Sequence, residues 1–294
     1  MRRYFGRFFL ACLVLITGVV TACGSMSEEE EKKELRLVYA DWSEGVAMTY
    51  LAAEILESEL GYEVETKMTD IESVFREIES GQYDLFVDAW LPETHKTYMD
   101  TYGADLENLG VNVETVRTGL MVPDYVEAQT IGDLDNVVDQ IIGIGSGAGV
   151  MEATKTAIEN YELSADLLEG SEQIMTDTLS NAIKRRVPIV VTGWTPHWIA
   201  NRYELRFLED PENVFGETEQ IHTLAREGFS EEHSRVVTFF ERFKLTNEQL
   251  GALMDELQTF PNNEQRAVQN WIRDNEFVVN QWVKELHPVR EKLM

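Results

Sequence analysis

The chain has 294 residues, with 53 Asp and Glu against 25 Lys and Arg and a formal net charge of −28. That balance excludes a nucleic-acid binder, whose phosphate contacts need Lys and Arg, and argues against a face pressed onto anionic lipid; it suits a solvated, exported surface that modestly enriches cations nearby. Both cysteines, Cys12 and Cys23, lie near the N-terminus, so the body of the chain has neither a disulfide framework nor a thiolate metal site.

The N-terminus reads as an export signal. Arg2, Arg3 and Arg7 form a basic start, Phe8–Val20 is apolar, and the small residues Val20-Thr21-Ala22 precede Cys23. This is the order of a secretory signal peptide, residues 1–22. The residues before Cys23 resemble the bacterial lipobox, in which the Cys becomes the lipidated first residue of the mature protein. The apolar run is shorter than the roughly 20 residues a spanning helix needs. Loss of the three leader arginines takes the formal charge from −28 to −31. Residues 23–34, containing SMSEEEEKKE, read as an acidic tether, and the folded body is expected to start at Leu35.

From there strand and helix alternate. Leu35–Ala40 reads as a strand, Val46–Leu60 as a helix stopped by Gly61, Tyr62–Met68 as a half-exposed strand, Ile71–Ser80 as a helix closed by Gly81, and Tyr83–Ala89 as a strand. A similar run restarts near Gln140, with strand Ile141–Ile144, helix Gly149–Tyr161, a short extended piece Asp166–Leu168, helix Asp177–Arg185 and strand Pro188–Thr192. Two βαβαβ runs predict two α/β units with parallel, doubly wound sheets. Thr118–Pro123 reads as a strand crossing between them and Ile221–Ala225 as the return, which gives two lobes around a cleft. Lobe I is then 35–118 plus 224–294, and lobe II is 119–223. The remainder is helical: Thr246-Asn247-Glu248-Gln249 has the form of a capping box before Leu250–Leu257. Glu264–Asn280 reads as one amphipathic helix in which Trp271 packs, as does Trp282 just beyond it.

Three tryptophans stand apart. Trp42 in YADWSEGVA, Trp90 in DAWLPETH and Trp194 in TGWTPHW each sit where an apolar run gives way to a turn. A single Trp is more often core than site. Three at one kind of position, beyond the carboxyl ends of strands where open sheets hold ligands, read as an aromatic cage. Indole faces suit a cation that offers no hydrogen-bond donor, such as a quaternary ammonium. The glycine-rich GIGSGAGV, residues 143–150, fits a dinucleotide fingerprint weakly. An anion site at the following helix N-terminus is the simpler use, with a structural glycine turn as the plain alternative.

YADWSEGVA, AWLPETH, GIGSGAGVM, TGWTPHW and IHTLAREG together resemble the glycine betaine/proline betaine substrate-binding lipoproteins of bacterial ABC importers, over roughly Leu35 to Asn280. The resemblance implies a two-lobe periplasmic-binding-protein fold of type II, with two crossovers at the hinge and the ligand between the lobes. It implies a trimethylammonium cage of Trp42, Trp90 and Trp194, and a ligand carboxylate held by the backbone amides of Gly149 and Val150 with help from His95. It implies an ABC permease and ATPase as partners, lipid on Cys23 as the sole membrane attachment, a position on the outer side of the cell membrane, a monomer, and no cofactor or metal. His197 and Trp198 are expected to support the cage from behind.

Two rivals stand beside this reading. An extracytoplasmic enzyme, glycosidase-like in its carboxylates, would draw on His95, His197 or His222 with Asp41, Asp88 or Glu93. No nucleophile elbow, HExxH or body cysteine is present to serve other hydrolase chemistry. A solute sensor that does not transport is the second.

Overall fold

The computed structural model describes residues 34–286, all within one compact unit. The leader, Cys23, the tether as far as Lys33 and the last eight residues, 287–294, lie outside the described residues.

In chain order the first half contains β1 (Glu34–Tyr39), α1 (Ser43–Ile55), β2 (Glu63–Met68), α2 (Ile71–Glu79), β3 (Leu85–Leu91) and α3 (Lys96–Tyr102). The long strand β4 (Leu106–Pro123) leads into β5 (Gln140–Ile142), α4 (Gly149–Asn160), β6 (Asp166–Leu168), α5 (Glu172–Arg185), β7 (Val190–Thr195), α6 (Ile199–Arg202) and β8 (Leu205–Phe207). Strand β9 (Glu219–Arg226) returns, and α7 (Phe229–Glu232), α8 (Ser234–Arg242), α9 (Asn247–Thr259), α10 (Glu264–Asp274) and α11 (Glu276–Trp282) complete the chain.

The strands run β2-β1-β3-β9-β4-β7-β5-β6, with β8 also on β4. Each half carries three parallel strands, β2-β1-β3 and β6-β5-β7. The expectation of wholly parallel sheets fails at the crossing strands, because β9 is antiparallel to β3 and β4, and β4 is antiparallel to β7 and β8. Strand β4 belongs to both halves: Leu106–Val116 pairs with β9, and Arg117–Met121 pairs with β7. Only Thr118–Pro123 reads as strand in the sequence; the first part mixes Glu, Asn and Gly110 with its apolar residues and shows no clean alternation. Residues 219–223, read above as part of the second lobe, pair with β3 and β4 in the first sheet.

Local chemistry explains the helices. Helix α2 buries Ile71, Val74, Phe75 and Ile78, the i, i+3, i+4, i+7 stripe, and starts at Asp70, whose carboxylate accepts from the Ser73 N–H at 2.9 Å. Helix α5 begins five residues earlier than the apolar pattern shows, because Ser171 caps it through the Ile174 N–H. The Thr246/Gln249 capping box forms. The expected single helix 264–280 breaks at Asn275, whose side chain donates to the Trp271 carbonyl at 2.9 Å and so competes with the helical ladder. Trp271 and Trp282 are buried and stacked, ring centroids 6.3 Å apart. Beneath the first sheet Asp84 accepts from Arg36 on β1 and Arg226 on β9, at 3.1 and 2.8 Å, tying three strands together.

A cage at the meeting of two sheets

Trp90 is the penultimate residue of β3 and Trp194 the penultimate residue of β7, so both lie in the last turn of pleat rather than beyond the strand. Each is 3% exposed. In both, the residue after the Trp precedes a proline through a cis peptide. Trp42 stands at the N-cap of α1 and is partly buried. The three rings line one narrow pocket between the halves, with a cavity volume of about 30 Å³. Gly149 and Val150, His95 and Glu44 complete much of its wall, and Thr118 enters from β4 beside Trp194. All six residues expected at the site therefore come together.

The polar edges of the two strand indoles are already occupied. Trp90 Nε1 donates to Asp88 Oδ1 at 3.0 Å, and Trp194 Nε1 donates to Glu44 Oε2 at 2.8 Å. What these rings can offer a guest is their π surface, which attracts a cation through the ring quadrupole. Trp42 lies near-parallel to the His95 ring, with centroids 5.8 Å apart and 22° between planes.

Glu44 and Asp88 are almost wholly buried. Burial pushes the Glu44 carboxyl well above the usual carboxylate range, and the charges of Asp88 and Glu172 push it further. Burial raises Asp88 likewise, against the bond from Trp90. Two such neighbours resist ionising together. Asp88 Oδ2 meets no hydrogen-bond partner among the described residues.

His95 sits in the loop after β3. The backbone N–H groups of Glu93 and Thr94 both donate to Glu219 on β9 at 2.8 Å, which holds that loop down. Burial drives the His95 imidazole down to about 3, so it is neutral near pH 7. Its Nδ1 accepts from the Trp90 N–H at 3.0 Å, which places the proton on Nε2. Nε2 is buried and meets no partner among the described residues, so it is a neutral donor left for a guest.

Opposite, α4 begins at Gly149. Its N-cap, Ala148, supplies no side-chain acceptor, and first-turn N–H groups have no intrahelical partner. The helix start suits an anion. Glycine is required there: a Cβ on Gly149 would lie 2.2 Å from the Thr94 carbonyl oxygen of the other half.

Of the enzyme rival's residues, His95 lines the cage and Asp88 holds the Trp90 indole, but the others do not join them. His222 pairs with Asn108 on the first sheet, Glu93 and Asp41 are absent from the cage wall, and His197 packs edge-on against Trp194 with centroids 4.5 Å apart. Glu44, Thr94 and Thr118 were missed as wall residues. Glu44 follows Trp42 by two positions, but a Glu in the first helical turn normally reads as a solvated, dipole-favoured group.

Two α/β halves joined by crossing strands, with an aromatic cavity where they meet, define a two-lobe solute-binding protein. Residues 33–274 match the family described as the substrate binding domain of ABC-type glycine betaine transport systems, and the chain belongs to that family. It is a family of transport proteins, not of enzymes. The glycine betaine/carnitine transport binding protein GbuC of Listeria monocytogenes serotype 1/2a (strain 10403S) is 37% identical over 174 residues, 58% of this chain and 57% of that protein. The aligned region thus spans little more than half of that relative. Lactococcal OpuAC, in a closed-liganded conformation complexed with glycine betaine, superposes with a TM-score of 0.82 at 34% identity, covering 86% of this chain and all of that one. The glycine betaine/L-proline-binding protein ProX of Borrelia burgdorferi gives 0.81 at 29% identity, covering 86% of this chain and 98% of that one.

Proposed function

We propose that this chain captures glycine betaine, or a close quaternary-ammonium zwitterion such as proline betaine, outside the cytoplasm and delivers it to an ABC permease and its ATPase. The observation that carries this is the pairing of Trp42, Trp90 and Trp194 with the start of α4 and His95 around one small cavity. The trimethylammonium group lies among the indoles. The carboxylate accepts from the Gly149 and Val150 N–H groups and from His95 Nε2–H. The lobes are taken as 35–116 with 219–294, and 117–218, a division supported by the pairing of β9 with the first sheet and of Arg117–Met121 with β7. Cys23 carries lipid, and the protein works as a monomer.

Indole faces favour a weakly hydrated cation by about 0.5–2 kcal/mol each. Charge-assisted backbone bonds add about 1.5–3 kcal/mol each, before the cost of association. The sum supports micromolar binding. Titration of intrinsic tryptophan fluorescence with glycine betaine, proline betaine, choline and carnitine tests the reading. Saturable binding of a betaine by the wild type, lost in Trp90→Ala and kept in part by Trp90→Phe, is the expected result; no response to any of the four overturns it.

A further inference from the structure

His197 and Trp198 follow the cage residue Trp194 closely, yet neither lines the cavity. Both converge instead on Glu172, the first residue of α5. His197 Nε2 lies 3.1 Å and Trp198 Nε1 3.3 Å from Glu172 Oε1. The His197 Nδ1 accepts from the Ile199 N–H at 3.1 Å, so Nε2 carries the proton and faces the carboxylate in close polar contact, without the alignment of a full hydrogen bond. These three residues belong to the half built on the second sheet.

The same carboxylate reaches across the cleft. Its Oε2 accepts from the Ser43 backbone N–H at 2.9 Å, and its Oε1 accepts from the Ser43 hydroxyl, which in turn lies 3.1 Å from Trp198 Nε1. Ser43 is the first residue of α1, in the other half. Trp42, the N-cap of α1, makes no side-chain cap. The cap that this helix lacks in its own sequence is therefore supplied by Glu172 from the opposite lobe. The carboxylate is 11% exposed. Burial opposes its charge, and the polar contacts of His197 and Ser43 outweigh that and hold it ionised. Asp41 and Glu44 are the other acidic groups that feel it.

The residues on either side of Ser43 are cage residues. Trp42 is one of the three rings, and Glu44 holds the Trp194 indole. We propose that Glu172 is a positioning residue for ligand capture: by capping α1 across the cleft it latches the closed arrangement and fixes Trp42 and Glu44 in their cage positions. This rests on the ligand reading above. It gives His197 and Trp198 a role, which is to hold the latch carboxylate in place on its own lobe. The latch contributes only where the lobes meet, so it slows ligand escape and leaves the encounter rate unchanged.

Glu172→Gln is the informative variant. Its amide oxygen keeps an acceptor for one lobe, while its NH2 group presents a donor where the other lobe also presents donors. Stopped-flow fluorescence with glycine betaine and thermal melts with and without ligand read the outcome. A rise in the dissociation rate of about tenfold or more is expected, with the association rate within about threefold of wild type. The ligand-free melting temperature stays within about 2 °C, and the ligand-induced rise shrinks. Ser43→Ala gives a smaller change in the same direction, non-additive with Glu172→Gln because both act on one carboxylate. An unchanged dissociation rate in the folded Gln variant overturns the latch. So does an equal fall in melting temperature with and without ligand, which marks an ordinary structural contact. Failure of the wild type to bind overturns the functional reading and the latch together, and is distinct from either result.

Discussion

At the scale of single residues, the cage is set by what each ring is denied. Trp90 and Trp194 have their N–H groups taken by Asp88 and Glu44, and His95 is pinned through Nδ1 with one donor free. His95→Ala is expected to weaken glycine betaine binding by about tenfold or more, the value of one charge-assisted bond to a carboxylate, as measured by isothermal titration calorimetry; unchanged affinity places the carboxylate elsewhere. The buried Glu44 gives a pH signature. Its folded pKa is raised, by burial first and then by Asp88 and Glu172, so its contribution to stability is full below its unfolded value of 4.5 and is lost as pH rises through the folded value. Glu44→Gln has no such loss. The melting temperature of that variant should therefore gain on wild type as pH climbs from about 5 to about 8, and a difference that stays flat contradicts the raised pKa. The three Trp residues were legible because each sits at an abrupt change from apolar run to turn. Glu44 was not, since no local pattern tells a first-turn Glu that caps a distant indole from one that faces water.

At the scale of elements, α4 and α1 both start at the cleft, and neither is capped by its own N-cap side chain. One faces the cavity and the other receives Glu172. The close approach of α4 to the loop after β3 depends on Gly149. Gly149→Ala places a methyl against the Thr94 backbone oxygen, which no side-chain rearrangement relieves. Binding is expected to fall by at least about tenfold while circular dichroism and the ligand-free melt stay near wild type; retained affinity shows that the halves need not approach this closely. The glycine run at 143–150 pointed to this helix start in the sequence. The start of α5 and the break at Asn275 did not stand out, because both come from single side-chain bonds to backbone, made by Ser171 and Asn275, and such bonds leave the apolar periodicity intact.

At the scale of the whole molecule, two parallel three-stranded units are joined by β4, which crosses from one sheet to the other between Val116 and Arg117. The parallel units were readable because βαβ alternation is local. The antiparallel pairings of β4 and β9 join residues more than a hundred positions apart, and no window of sequence carries them. The C-terminal helices stabilise the first half without touching the cavity. Trp271→Ala, which empties a buried site beside Trp282, is expected to cost about 3–5 kcal/mol in chemical denaturation and to leave ligand selectivity unaltered. A change of selectivity places that helix in the site.

The claim on which the rest depends is that the cage binds positive charge and not merely a bulky apolar head. Glycine betaine and 3,3-dimethylbutanoate have the same shape and the same carboxylate, with nitrogen in one where carbon stands in the other. Titration calorimetry of the wild-type protein with both compounds separates charge from shape. The account predicts micromolar binding of glycine betaine and binding of the carbon analogue weaker by at least about tenfold. Equal affinities contradict it.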